Sequence, residues 1–158
     1  MALDLEVVRF NFEKELIRAR ERASLFKWGW KDDLDALTVR VEYTALDNER
    51  YILVGTFDDY KEKPPFLEFE EPGTGVRGTA RAYPKGNDSF FHETGPTICA
   101  PFSRKAYLAV HASNWQFDNW MTSTESNVRW SQYSTMAAML ELIYSRLTTR
   151  ELYVGRMG

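Results

Sequence analysis

Apolar residues recur at three- and four-residue intervals near the start of the chain: Leu5, Val8, Phe12, Leu16, Ala19, Ala23 and Phe26. That spacing lines one face of an α-helix, so a long amphipathic helix is predicted over 5–26. Its far side carries Lys14, Arg18 and Arg22 at four-residue steps, a basic stripe that reads first as a solvated face. From Leu37 to Ala45 the period drops to two. Leu37, Val39, Val41, Tyr43 and Ala45 alternate with Thr38, Arg40, Glu42 and Thr44, the pattern of a half-buried strand. Asp47 and Asn48 supply turn chemistry, and Tyr51 to Phe57 reads as the next strand of an antiparallel hairpin. Pro64 and Pro65 have no N–H to give to a ladder, so they belong before a third strand, Phe66 to Phe69.

The stretch from Glu71 to Pro101 is dense in proline and glycine, with Pro72, Gly73, Gly75, Gly78, Pro84, Gly86, Gly95, Pro96 and Pro101. Long regular elements are excluded there, and an ordered loop of that length is where function concentrates. Helical spacing returns with Met136, Met139, Leu140, Ile143, Tyr144 and Leu147, behind Ser134 as a candidate N-cap. The predicted order is helix, three or more strands, long loop, helix, with no internal repeat. This is an α+β chain.

Length changes the picture only by setting the scale: 158 residues make one domain over 1–158, large enough to bury a core without disulfides or a metal. Twenty Lys and Arg against 23 Asp and Glu leave no net field to draw in nucleic acid or an anionic membrane. No stretch approaches the roughly 20 apolar residues of a membrane span. The N-terminus, MALDLEVVRFNFEKEL, has acids among its apolar residues and is unlike a secretory signal. With a single cysteine, these features point to the reducing cytoplasm. No metal site or cofactor is expected: one Cys and two His lack ligand spacing, and Gly73, Gly75 and Gly78 lack the Lys of a phosphate-binding loop.

Candidate chemistry centres on Cys99, in Gly95-Pro96-Thr97-Ile98-Cys99-Ala100-Pro101. A lone cysteine is most often an inert small hydrophobe. It becomes a nucleophile where the thiol is partly exposed and its surroundings are positive or rich in donors. His92, Ser103, Arg104, Lys105 and His111 are near in sequence. Two readings stay open on residues alone: a silent binding module with Cys99 buried, and a cysteine hydrolase with His92 or His111 as base.

The segment Phe57-Asp58-Asp59-Tyr60-Lys61-Glu62-Lys63-Pro64-Pro65-Phe66-Leu67-Glu68-Phe69 resembles the signature of ubiquitin-conjugating (E2) enzymes, a Phe and Tyr followed by Pro-Pro leading into a strand. Downstream, Gly95-Pro96-Thr97-Ile98-Cys99 is similar to the family's Gly-x-Ile-Cys active site, with one extra residue. The likeness extends over residues 5–147 in element order. It implies the UBC-like fold, with an N-terminal helix, an antiparallel meander, an active-site loop, a crossover helix and a truncated C-terminus. It also implies that Cys99 accepts a ubiquitin-like protein as a thioester from an E1-like activating enzyme and passes it to a target lysine. The family's His-Pro-Asn tripeptide is absent; Asn87 or His92 stands in the corresponding region, and Asn114 is a further candidate for stabilising the oxyanion. Lys14, Arg18 and Arg22 correspond to the helix face by which such proteins dock the activating enzyme. Only eleven residues follow Leu147, fewer than the two further helices of eukaryotic members need. The compact form is more similar to bacterial E2-like proteins of anti-phage systems. A catalytically inactive E2-variant or RWD-like module is the alternative within the same fold. Trp115, Trp120 and Trp130 are expected to cap the core under the active-site loop.

Overall fold

The computed structural model describes residues 4–109 and 134–158. Helix α1 runs Leu5–Phe26 and is capped by Asp4, whose carboxylate accepts from the Glu6 N–H. Strands β1 (Gly29–Asp33), β2 (Thr38–Thr44), β3 (Arg50–Thr56) and β4 (Phe66–Glu70) form an antiparallel sheet in chain order. Short strands β5 (Pro84–Gly86), β6 (Phe91–His92) and β7 (Thr97–Ile98) punctuate the proline- and glycine-rich stretch. After them come α2 (Arg104–Ala109), α3 (Met136–Thr148) and β8 (Tyr153–Arg156). The class is α+β, with an N-terminal helix and a four-stranded antiparallel sheet.

Register explains which side of the sheet is inside. Val39, Val41 and Tyr43 of β2 stand opposite Gly55, Leu53 and Tyr51 of β3, and Leu53 and Gly55 stand opposite Phe69 and Leu67 of β4. Alternation puts this set on one face, and α1 and α3 cover it. Phe12 of α1 meets Phe57 at 5.5 Å between ring centroids, while the buried Tyr43 hydroxyl donates to the Leu140 carbonyl of α3 at 2.9 Å. Trp28, just past α1, joins the two helices to the sheet through Tyr43 and Tyr144. On the opposite face Glu70 is buried and ion-paired with Arg40 and Arg77.

Four features differ from the sequence expectation. Strand β1 was not anticipated, because Gly-Trp-Lys-Asp-Asp is an exposed, charged edge with no apolar alternation. Leu5, placed on the buried face by its spacing, is exposed in the first turn. The N-cap of α3 is Thr135, whose side chain accepts from the Ala138 N–H; Ser134 instead offers its carbonyl to Lys61 Nζ. Finally, the residues after α3 return as β8 to pair with β5. No helix among the described residues is long and apolar enough to cross a membrane.

One carboxylate ties three parts of this scaffold together. Glu15 of α1 accepts from the Tyr60 hydroxyl at 2.8 Å and from the Met136 N–H, the first of α3, at 2.6 Å, and it pairs with Lys61. Charge at a helix N-terminus and in a nearly buried site makes these bonds count. Glu15→Ala is expected to lower the unfolding free energy by about 3 kcal/mol, and Glu15→Gln, which still accepts both bonds, by about 1 kcal/mol. Urea denaturation checks the order; equal losses for the two variants would contradict it.

Candidate functional site

Cys99 lies directly after β7 and continues its ladder: its N–H donates to the Phe90 carbonyl at 2.7 Å. The β6–β7 ribbon pairs Phe91 with Ile98 and His92 with Thr97. The connection between the strands turns at Gly95, whose φ of +57° lies in the left-handed region that a side chain disfavours. Phe91 and Ile98 face the core. By alternation Phe90, His92, Thr97 and Cys99 share the other face of the ribbon.

On its C-terminal side Cys99 enters a tight turn, with the Ala100 N–H donating to the Ile98 carbonyl at 3.1 Å and the Ser103 N–H to the Ala100 carbonyl at 2.9 Å. Helix α2 then locks onto the turn that precedes β4. The Arg104 N–H donates to the Pro65 carbonyl at 2.9 Å, and the Arg104 guanidinium donates to Asp58 at 2.5 Å. Lys105 reaches Glu68 of β4 at 3.5 Å and lies 5.5 Å from the Tyr83 ring centroid. These bonds tie the start of α2, just past Cys99, to the 57–69 segment, and β7 packs against β4.

Cys99 is half-buried. Burial pushes its pKa up, because removing water disfavours the thiolate. Its cross-strand neighbour is apolar: Phe90 is buried, packs 5.0 Å from Phe91 and 6.5 Å from Phe102, and lies under the Arg146 guanidinium of α3 at 4.6 Å. Arg146 also pairs with Asp88, whose carboxylate accepts from the Phe90 N–H at 3.1 Å. The hydroxyls of Thr97 and Ser103, on either side of Cys99, are buried and find no hydrogen-bond partner among the described residues.

His92 is half-buried on β6, with Nδ1 2.9 Å from the Thr94 carbonyl. A carbonyl only accepts, so Nδ1 carries the proton and Nε2 is the basic nitrogen. Asn87 lies at the β5–β8 junction, where its side-chain amide donates to the Glu151 carbonyl at 2.7 Å and its N–H to the Leu152 carbonyl at 3.0 Å. Lys14, Arg18 and Arg22 are all exposed on α1, and Arg22 is paired with Glu141 of α3 at 3.2 Å. His111, Asn114, Trp115, Trp120 and Trp130 lie outside the described residues. Sequence reasoning gave no role to Asp58 or Glu15, and it noted Arg104 only as a neighbour of Cys99. An Asp and an Arg 46 positions apart give no local signal of pairing.

Comparison of the chain with family models, with curated proteins and with solved structures gives no match. The site's chemistry therefore rests on its own geometry: a single thiol at a ladder's end, fixed on both sides by backbone hydrogen bonds, with burial favouring its protonated form.

That protonation has a direct readout. With the folded-state pKa above the free-thiol value, alkylation of Cys99 by iodoacetamide is expected to be slower in the folded chain than in the urea-unfolded chain at pH 8. It should keep rising with pH beyond the point at which the unfolded thiol levels off. The same sign applies to stability: the unfolded thiol ionises first, so Cys99 favours the folded state less as pH climbs through that range. Equal rate profiles for the two states would refute the assignment.

Proposed function

We propose that the chain is an E2-like conjugating enzyme with the UBC-like fold, carrying a ubiquitin-like protein as a thioester on Cys99. The reading is supported by the packing of β7 against β4, which sets the two stretches that resemble the family beside each other, and by the bonds from Arg104, just past Cys99, to Pro65 and Asp58. The order of elements also agrees: an opening helix, an antiparallel sheet, an extended cysteine-bearing segment and a later helix.

The reaction is acyl transfer. The Cys99 thiol gives its proton to solvent and the thiolate attacks the thioester carbonyl presented by an E1-like activating enzyme; the tetrahedral intermediate collapses, and the activating enzyme's sulfur departs as thiolate. A target lysine, having lost one proton to solvent, then attacks the Cys99 thioester. Loss of its second proton leaves an isopeptide bond and returns the Cys99 thiolate. Both steps build negative charge on the carbonyl oxygen, and a donor aimed at that oxygen contributes about 3 to 4 kcal/mol in enzymes of this chemistry. His92 and Asn87 are the polar candidates near the segment, although one amide hydrogen of Asn87 is committed to Glu151. A protonated thiol makes the enzyme slow toward stray electrophiles. Lys14, Arg18 and Arg22 form the docking face for the activating enzyme in this reading, and the setting is a bacterial, cytoplasmic conjugation system.

A second reading, the silent variant, is favoured by the desolvation of the thiol. One experiment separates them. Incubation with the activating enzyme, its ubiquitin-like protein and ATP should give an adduct on wild type that dithiothreitol cleaves, none on Cys99→Ala, and a thiol-resistant oxyester on Cys99→Ser. An adduct that survives Cys99→Ala, or no adduct on wild type while the activating enzyme itself becomes loaded, counts against catalysis at Cys99.

A further inference from the structure

Helix α1 has a second apolar stripe. Its inner face, Val8, Phe12, Leu16, Ala19 and Ala23, is buried. Along the outer face Val7, Phe10, Ile17 and Leu25 are large, apolar and exposed, three of them by more than 60% (Phe10 65%, Ile17 61%, Leu25 65%). With Lys14 and Glu21 they follow the three- and four-residue steps of a helix–helix seam: 7, 10, 14, 17, 21 and 25. A solvated helix face has no use for four large apolar side chains in register.

The charges on this stripe select a partner. Of the flanking arginines, Arg9, Arg20 and Arg22 are already paired within the chain, with Asp35, Asp32 and Glu141, while Arg18, exposed at the edge of the stripe, is in no ion pair among the described residues. Lys14 and Glu21, at the centre of the stripe, are in no ion pair among the described residues. They lie about 5 Å on either side of the midpoint between Ile17 and Arg18, and Phe10 and Leu25 lie about 11 Å on either side of it. A two-fold axis through that midpoint brings Lys14 of each copy to Glu21 of the other, and Phe10 to the level of Leu25. Ile17 meets its own mate near the axis. The parallel alternative sets Lys14 against Lys14 and Glu21 against Glu21, so the same two residues disfavour it.

We propose that this face pairs with a second copy of the chain, α1 against α1, antiparallel, as an isologous contact centred on Ile17. A single-helix seam with two polar positions gives a small contact, at the weak end of the range for specific interfaces. The inference is independent of the chemistry at Cys99 and holds whether or not that residue carries a thioester.

Sedimentation velocity on the full chain over a concentration series tests it. The mass is expected to rise from the 18.4 kDa monomer toward twice that value. Ile17→Asp should hold the chain as a monomer with an unchanged circular dichroism spectrum. Lys14→Glu and Glu21→Lys should each weaken association about tenfold, by placing like charges together at two symmetry-related points. The double exchange Lys14→Glu/Glu21→Lys should restore most of it, and since the two positions are two helical turns apart, that rescue can arise only between copies. A wild-type monomer at every concentration, or a double exchange no tighter than either single variant, would overturn the proposal.

Discussion

Two backbone hydrogen bonds between distant parts of the chain fix the geometry of everything around Cys99. One runs from the Cys99 N–H to the Phe90 carbonyl, and the other from the Arg104 N–H to the Pro65 carbonyl. Between Glu71 and Ser103 the chain has only a single turn of 3-10 helix and strands of two or three residues, too little regular structure to hold a side chain in place by itself. A backbone N–H that would otherwise be buried without a partner is costly, so each bond selects one path for the segment. The first sets the thiol at the end of a ladder. The second ties its far side to the turn ahead of β4, and hence to the sheet.

The scaffold behind those bonds is a network of polar groups placed in an aromatic core. Glu15 links α1, the Tyr60 turn and α3, Tyr43 links β2 to α3, and the Tyr51 and Tyr153 hydroxyls meet at 2.7 Å between β3 and β8. Burial raises the pKa of Tyr43, Tyr60 and Tyr83 as it does that of Cys99, one physical cause acting on groups of different chemistry. In the tyrosines it preserves neutral hydrogen-bonding phenols. In Cys99 it disfavours the thiolate.

Period and punctuation made α1, β2, β3, β4 and α3 legible in the sequence, because each presents one apolar face to a common core. β1 was not legible: its ladder partner is β2, but its own residues are mostly exposed, so backbone pairing alone makes it a strand. Strands β5 to β8 were hidden for a related reason, since two- to four-residue strands carry no measurable period. At the site, Cys99 was legible as the lone thiol in a stiff, proline-bounded stretch. The Arg104–Asp58 clamp and the Phe90 neighbour were not, because both arise from contacts that only the fold creates. The outer stripe of α1 was read by its basic residues, while its apolar members Phe10, Ile17 and Leu25 passed unremarked beside the stronger inner period. Under the two proposals that face would serve both self-association and docking of an activating enzyme, and a single complex would have room for one of them.

The proposed function requires that the sulfur of Cys99 be reached from solvent and hold an acyl group while the protein is folded. Intact-mass spectrometry of the native chain after exposure to a short peptide thioester ending in Gly-Gly addresses it without any partner protein. The expected result is a single peptide adduct that maps to Cys99 and is removed by hydroxylamine at neutral pH. An unmodified native chain, under conditions in which the urea-unfolded chain acquires the peptide readily, would contradict the account.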